Sequence, residues 1–73
     1  GHAEARFNCG IMLSQGKGGK IDLPQARAYY KLAADQGVAA AQNNYATMLQ
    51  KGHGGEVDIP SALKYYKLAA DQG

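Results

Sequence analysis

Apolar side chains recur every three to four residues in four segments of the chain, and glycine-rich stretches separate these segments. In residues 3–15 the apolar positions have the spacing i, i+4, i+7 and i+8 that places side chains on one face of a helix: Ala5, Cys9, Met12 and Leu13. Residues 39–51 repeat the spacing with a second set: Ala41, Tyr45, Met48 and Leu49. The pattern predicts two amphipathic helices, each with one apolar face turned to a core.

Three glycines in four residues follow each of these helices, in residues 16–19 and 52–55. Glycine loses the most backbone entropy in a helix and adopts positive φ without steric cost, so both stretches predict tight turns. An aspartate and, two residues later, a proline begin the next helix in each half: Asp22 and Pro24, then Asp58 and Pro60. Aspartate is a good N-cap acceptor, and proline in the first turn lacks only an N–H group that has no partner there.

The second helix of each half is expected over about residues 23–36 and 59–72. Its apolar stripe has the same composition in both halves: Ala26, Tyr29, Tyr30 and Ala33, then Ala62, Tyr65, Tyr66 and Ala69. Gly37 and Gly73 stand where a left-handed residue commonly ends a helix. Each half therefore has the order helix A, glycine turn, helix B and glycine stop.

Residues 2–37 align with residues 38–73 at a constant offset of 36, without a gap. Twenty of the 36 aligned pairs are identical, and the segment Tyr29 to Gly37 recurs unchanged as Tyr65 to Gly73. A single helical hairpin cannot bury both of its apolar stripes, whereas stacked hairpins cover one another. The sequence predicts an all-α fold, a right-handed α-solenoid of two helix-turn-helix repeats with one repeat in each aligned segment.

Composition excludes several classes of function. The chain has 73 residues and one cysteine, so we expect one small domain without an internal disulfide. Eight basic and six acidic residues give a net charge of +2 and form no basic stripe, so no nucleic-acid partner is expected. No apolar run approaches the ~18 residues of a membrane span, so no membrane insertion is expected. Localisation is left open.

No set of residues predicts catalysis, a metal site or a cofactor site. The stretch from Gly16 to Lys20 is similar to a phosphate loop only in its glycines, because no strand precedes it and no serine or threonine follows it. His2 and His53 have no metal ligand at suitable spacing and are predicted to be exposed loop residues. Cys9 has no histidine partner, which predicts a small buried hydrophobic residue rather than a nucleophile. We therefore expect that the chain is not an enzyme.

Two groups of recurring polar side chains allow a structural or a binding interpretation. The four tyrosines of the helix-B stripes are predicted to pack between helices, although they could also form an aromatic ligand site. Asn8 and Asn44 recur on helix A, where a hydrogen bond to the neighbouring turn is predicted. Binding to the backbone of a partner is the alternative.

A set of small, polar and aromatic residues recurs at fixed spacing and is largely repeated 36 positions later: Ala3, Ala5, Asn8, Gly10, Gly16, Gly18, Asp22, Ala26, Tyr29, Tyr30, Ala33, Ala34, Gln36 and Gly37. This pattern resembles the Sel-one-like repeat, a relative of the tetratricopeptide repeat, over essentially the whole chain. The chain departs from that family at the first core position of helix A, where Cys9 and Tyr45 replace the usual leucine. The second copy also has Ala46 where glycine is usual.

The resemblance implies a non-catalytic scaffold or adaptor that binds a protein or peptide on a concave face lined by helix A of each repeat. By resemblance to tetratricopeptide packing, that face comprises helix-A positions outside the core stripe: Glu4, Phe7, Ile11, Ser14, Gln15, Ala40, Asn43, Thr47, Gln50 and Lys51. Phe7 and Ile11 are apolar, whereas the counterparts of both are polar. Two interpretations of this pair stay open: a binding hot spot, or a surface that a preceding repeat would cover.

Repeat arrays generally need three or more units with polar caps, and neither end of this sequence is polar enough for a cap. The ends are therefore expected to meet between molecules, in a swapped dimer or an end-to-end stack. The expected contact joins helix B of one chain to helix A of another: Tyr65, Tyr66 and Ala69 on Ala5, Cys9 and Met12. The alternative to a scaffold is accordingly an engineered or excised two-repeat fragment whose main behaviour is self-association.

Overall fold

The structure, a computed structural model, describes residues 2–72 and contains four helices. They are α1 (His2–Gln15), α2 (Leu23–Asp35), α3 (Ala39–Lys51) and α4 (Ile59–Asp71). Each helix packs against the next one along the chain, so the two hairpins stack in sequence order. No strand occurs in residues 2–72, which confirms the all-α arrangement of two helix-turn-helix repeats. His2 lies within the first helix and not in a loop as predicted.

The two helix-B segments begin with the same side-chain cap. The carboxylate of Asp22 accepts a hydrogen bond from the backbone N–H of Gln25 at 3.1 Å. Asp58 accepts the equivalent bond from Ser61 at 3.2 Å, and a proline occupies the first turn in both helices. Each carboxylate therefore satisfies one backbone donor that the helix itself leaves without a partner, which confirms the predicted N-caps.

Positive φ angles occur at the glycines that the chain places at its turns. Gly16 and Gly18 have φ of 73° and 83°, and Gly52 and Gly54 have 75° and 76°, so the two hairpin turns share one geometry. Gly37, at φ 95°, ends α2 in a Schellman motif. Its N–H group donates to the Ala34 carbonyl at 3.0 Å, and the next residue donates to the Ala33 carbonyl at 3.2 Å. The corresponding prediction for Gly73 lies outside the described residues.

The core consists of small and aromatic side chains from all the helices except α1. Its buried apolar residues are mostly alanines and tyrosines: Ala26, Tyr30, Ala33, Ala34, Ala41, Tyr45, Ala46, Met48, Leu49, Ala62 and Tyr65. The rings of Tyr45 and Tyr65 meet edge to face, with centroids 4.8 Å apart and an interplanar angle of 82°. Alanine lets the helix axes approach closely, so the tyrosine rings fill the remaining space between helices.

Three of the four residues of the helix-A stripe in the first repeat are exposed, contrary to the prediction, whereas Leu13 is half-buried and packs against the core. Ala5 and Cys9 are exposed, and Met12 is 48% exposed. Their three counterparts in α3 are buried: Ala41, Tyr45 and Met48. The difference arises because α3 lies between α2 and α4, whereas α1 packs mainly against α2. The prediction that Cys9 is a buried hydrophobic residue is therefore wrong for this chain.

The solvent-facing surface of α4 also differs from the expected one. Tyr65 and Ala69, predicted to meet another molecule, are only 7% and 6% exposed because they pack into the core of their own chain. Other α4 residues are more exposed than their counterparts in α2, which α3 covers. These residues define the outer face of α4: Ile59, Leu63, Tyr66 and Ala70.

Candidate partner-binding site

A groove of about 490 Å³ lies between α1 and α3, near the ends of both helices. Its lining residues come from three helices and two turns: Ser14, Gln15, Ile21, Leu23, Tyr30, Asn44, Thr47, Met48 and His53. The lining combines apolar side chains with a few hydroxyl, amide and imidazole groups. Such a mixture is typical of sites that bind small ligands or peptide segments. We call this site the α1–α3 groove.

Tyr30 forms a fixed part of the groove wall and is only 4% exposed. Its ring lies 5.8 Å from the ring of Phe7, centroid to centroid, and its hydroxyl group is 3.1 Å from Ser14 Oγ. Gly10 lies against the ring, since a Cβ atom there would come within 2.8 Å of two Tyr30 ring carbons. These contacts hold the ring in place.

Phe7 and Ile11, the apolar pair predicted on the concave face, are half-buried and pack against the core. Neither lines the α1–α3 groove. Phe7 supports Tyr30, and the Ile11 carbonyl accepts a hydrogen bond from Ser14 Oγ at 3.0 Å. The pair therefore has a packing role, which reduces the apolar area that it offers to a partner.

Three of the predicted polar residues already bind tyrosine hydroxyl groups. Ser14 Oγ contacts the Tyr30 hydroxyl, and Thr47 Oγ1 lies 2.8 Å from the Tyr66 hydroxyl. Tyr66 also donates a hydrogen bond of 3.1 Å to Gln50 Oε1. These bonds fix helix B onto helix A within each repeat, so the polar groups concerned are partly occupied.

The structure brings three of the predicted residues together in the α1–α3 groove: Ser14, Gln15 and Thr47. The other predicted residues do not line it: Glu4, Phe7, Ile11, Ala40, Asn43, Gln50 and Lys51. Within this second group, all but Phe7 and Ile11 are exposed: Glu4, Ala40, Asn43, Gln50 and Lys51. The concave-face assignment of the whole set stays a prediction.

Sequence reasoning missed Ile21 and His53, which line the groove near the glycine turns. The Ile21 side chain is 60% exposed, although it is apolar and stands immediately before the Asp22 cap. An apolar residue recurs at this position as Val57, which was the available signal. The sequence predicts an exposed loop position for His53, and the structure confirms it.

Asn44 is half-buried in the α1–α3 groove, and its side chain has no hydrogen bond within residues 2–72. Its counterpart Asn8 is exposed and has none within the same residues. The predicted hydrogen bond to a neighbouring turn is therefore wrong for both. No buried side-chain polar atom lacks a partner in the described part of the chain, so the Asn44 amide is reached by solvent.

The two groups with clearly shifted pKa values lie outside the groove. Hydrogen bonds from the Ser61 side chain and backbone lower the pKa of Asp58 below its ordinary value. Burial, and then the hydrogen bond to Asp35, raise the pKa of Tyr65 to about 12. Both shifts accompany structural contacts, an N-cap and a bond between repeats. They do not indicate an acid or base poised for catalysis.

The described residues contain no group of three or more histidine, cysteine, aspartate or glutamate side chains that could hold a metal ion. Between residues 2 and 72, no helix is both long and apolar enough to span a membrane. The chemistry that the α1–α3 groove offers is hydrogen bonding from amide and hydroxyl groups together with apolar contact.

Comparison with known proteins finds the same repeat in the sequence and the same fold in solved structures. The model of the Sel1 repeat family matches the chain twice, over residues 3–38 and 39–73. No curated protein matches the sequence. Sel1 repeats generally serve as protein-interaction modules.

Two crystal structures superimpose closely on the chain. A Sel1 repeat protein from Oxalobacter formigenes is 37% identical with a TM-score of 0.95, and the match covers 97% of this chain. A protective antigen of uropathogenic Escherichia coli strains, which displays a Sel-one-like repeat fold, is 36% identical with a TM-score of 0.96 over 99% of this chain. The chain spans 21% of the first protein and 15% of the second. Because the family model matches in two consecutive repeats, the chain belongs to the Sel1 repeat family and forms a two-repeat segment of its α-solenoid.

Proposed function

We propose that this chain is a non-catalytic protein-interaction module whose partner, a protein or peptide, binds in the α1–α3 groove. One observation carries the proposal: an exposed apolar side chain, Ile21, and a solvent-accessible amide without a partner within residues 2–72, Asn44, line the same groove. The proposed binding involves no cofactor, nucleic acid or membrane.

The groove chemistry suits an extended or helical peptide segment. The Asn44 amide offers both a donor and an acceptor, which is what a peptide group requires. Complete burial of an isoleucine side chain contributes roughly 1.5–3 kcal/mol. With 60% of Ile21 still exposed, more than half of this contribution is available to a partner. Tyr30 is already held by Phe7 and Ser14, so binding orders few side chains and loses little entropy there.

The predicted concave residues extend the proposed surface along α1 and α3. Glu4, Gln15, Asn43 and Lys51 present exposed polar groups, and the first two lie at opposite ends of α1. Such a polar margin contributes to specificity more than to affinity. We therefore place the binding energy in the α1–α3 groove and the selectivity in its surroundings.

Selection from a random peptide library displayed on phage tests the proposal without a known partner. Affinities of the selected peptides are then measured by fluorescence anisotropy for the unmodified chain and for the variants Ile21→Ser and Asn44→Ala. We expect each variant to bind about tenfold more weakly, which corresponds to the loss of about 1.4 kcal/mol of contact energy.

Leu68→Ser provides the matched control, because Leu68 is 40% exposed but lies on α4 away from the groove. It should bind the selected peptides with unchanged affinity. Asn43→Ala tests the wider helix-A surface in the same assay. Peptides that bind both groove variants as tightly as the unmodified chain would eliminate the groove as the site.

A further inference from the structure

We propose that copies of this chain associate head to tail. The outer face of α4 in one copy docks beside α1 of the next, in the register with which α2 packs on α3 within the chain. The receiving surface is a second groove, of about 350 Å³, whose lining includes Cys9, Met12, Leu13, Gly18, Lys20 and Tyr29. We call it the receiving groove. It is separate from the α1–α3 groove, so the inference goes beyond the proposed function.

The junction between α2 and the second repeat supplies the template. Gln42 Nε2 donates to the Ala34 carbonyl at 3.0 Å, and the Tyr65 hydroxyl donates to Asp35 at 2.7 Å. The carbonyl of Leu23 lies so close to Gly54 that a Cβ atom there would overlap it. These contacts describe how a helix B binds to the repeat that follows it.

Arg27 completes the template by binding the glycine turn of the second repeat. Its guanidinium donates to the carbonyl groups of His53 at 3.3 Å and Glu56 at 2.9 Å. It also lies against Gly55, where a Cβ atom would be 2.9 Å from its Nη1. The turn carries one acidic side chain, so it favours a cation at this position.

The outer face of α4 repeats the template with one change of chemistry. Ile59 takes the place of Leu23, and Tyr66, Ala70 and Asp71 are identical to their counterparts in α2. Ile59 is 44% exposed and Leu63 is 64% exposed, so this face is apolar and uncovered. The changed position is Leu63, which stands where α2 has Arg27.

The receiving side repeats the other half of the template with changes in the turn and on α1, where Cys9 replaces Tyr45 and Arg6 replaces Gln42. Four of its lining residues are identical to their counterparts in the second repeat, which face α2 or line the equivalent position there: Met12, Leu13, Gly18 and Tyr29. Tyr29 would therefore meet Asp71 of another copy as Tyr65 meets Asp35. In the turn, Lys17 and Lys20 replace His53 and Glu56. Cys9, smaller than its counterpart Tyr45, leaves this groove wider.

The changes on the two surfaces match each other. An arginine at position 63 would meet two lysines in the receiving turn, and like charges brought together oppose association. Leucine at that position removes the repulsion and adds apolar area to the contact. The outer face of α4 thus has Leu63 in place of an arginine, at the position that would meet the basic turn with Lys17 and Lys20. The absence of this like-charge repulsion, together with the repeated packing register, favours a second copy as the occupant.

Because the two surfaces are different, the contact is heterologous and does not close at a dimer. The swapped dimer expected from the sequence does not have this geometry, whereas the end-to-end stack does. The residues of the contact also change from those expected, since the outer face of α4 replaces Tyr65 and Ala69.

Complementation between two blocked variants tests the register. Gly18→Ala blocks the receiving groove, because a Cβ atom there would overlap the incoming helix as it would at Gly54. Leu63→Arg blocks the outer face of α4. By sedimentation velocity in reducing buffer, the unmodified chain should grow in mass with concentration, and each variant alone should stay monomeric. An equimolar mixture should form a 1:1 dimer and stop there.

A charge exchange supplies the second test. A triple variant combines Lys17→His and Lys20→Glu with Leu63→Arg. It recreates the pairing of Arg27 with the turn of the second repeat, so association should be restored. Leu68→Arg is the control, because its counterpart Leu32 stays 48% exposed within the stack, and it should associate like the unmodified chain. Far-ultraviolet circular dichroism confirms that every variant is helical. None of these substitutions changes a residue that lines the α1–α3 groove.

Labelling of Cys9 with a maleimide gives an independent readout, since a docked copy would cover the thiol. Its rate should fall as the concentration of the unmodified chain rises, and should stay constant for Leu63→Arg. A chain that remains monomeric at all concentrations overturns the proposal. Undiminished association of Gly18→Ala alone, or a mixture of the two blocked variants that stays monomeric, overturns it as well.

Discussion

The hydroxyl group of Tyr65 donates a hydrogen bond of 2.7 Å to Oδ1 of Asp35, and this bond joins α4 of the second repeat to α2 of the first. The ring of Tyr65 is buried, so the bond lies at the edge of the core. Asp35 also pairs with Lys31 at 3.4 Å through its other oxygen, which keeps the carboxylate in position. Tyr29, the counterpart of Tyr65, has no such acceptor within residues 2–72.

Tyr65→Phe should lower the free energy of unfolding by about 1–2 kcal/mol, because it removes a hydrogen bond to a charged acceptor and leaves the ring packing unchanged. Urea denaturation followed by circular dichroism measures the difference. Tyr29→Phe is the matched control and should change stability by less than about 0.5 kcal/mol. Equal effects of the two substitutions would mean that the bond to Asp35 contributes nothing.

The same bond makes stability depend on pH in the alkaline range. The pKa of Tyr65 rises from 10.0 to about 12 in the folded chain, since burial and then Asp35 favour the neutral hydroxyl. A group whose pKa is raised by folding stabilises the folded chain fully at pH values below its unfolded pKa. This stabilisation is lost as the pH rises through its folded pKa. The melting temperature should therefore fall between pH 10 and about 12 more steeply for the unmodified chain than for Tyr65→Phe. Parallel declines would contradict this assignment.

A comparison of Gly54→Ala with Gly18→Ala distinguishes the energetic cost of backbone strain from the cost of disrupting the contact between repeats. Both glycines have positive φ, so alanine costs roughly 1–2 kcal/mol at either position. At Gly54 the new Cβ atom would also overlap the Leu23 carbonyl, whereas at Gly18 the nearest atom is the flexible Met12 Cε at 3.4 Å. We expect Gly54→Ala to lower the free energy of unfolding by about 1–3 kcal/mol more than Gly18→Ala does. Urea denaturation at low protein concentration measures the difference. Similar costs would indicate that the repeats separate easily.

Phe7→Ala should destabilise the chain even though Phe7 lies among the predicted partner-binding residues. Truncation of a buried phenylalanine costs roughly 3–5 kcal/mol, so about half of this is expected for the half-buried ring on Tyr30. Asn43→Ala, at the equivalent exposed position, should change the free energy of unfolding by less than about 0.5 kcal/mol. Thermal melts of both variants decide whether lost binding in Phe7→Ala reflects the site or the fold.

Local sequence signals predicted the secondary structure because they act within a few residues. Asp22 caps α2, and Gly16 and Gly52 end helix A, whatever lies elsewhere in the chain. Exposure could not be predicted in this way. Cys9 and Tyr45 occupy equivalent positions, yet only Tyr45 is buried, because burial depends on which helices lie on either side.

The candidate site was predicted less well for a related reason. The ten predicted binding residues all belong to helix A, but the α1–α3 groove also includes Ile21 and His53, which lie in or beside the glycine turns. In addition, the hydroxyl groups of Ser14 and Thr47 are hydrogen-bonded to tyrosine hydroxyls, so these two residues are not unoccupied polar groups. Pairings across 16 or 19 residues leave no periodic signal in the sequence.

The one-sided packing of α1 has a consequence for the order in which the chain opens. Backbone amides of α1 depend on a single helix–helix interface, whereas those of α3 are protected on two sides. Hydrogen–deuterium exchange should therefore reach α1 through local opening, while α3 exchanges only when the whole chain unfolds. In a linear stack each terminal helix is the weakest unit, and adding a neighbour at that end converts it into an interior one.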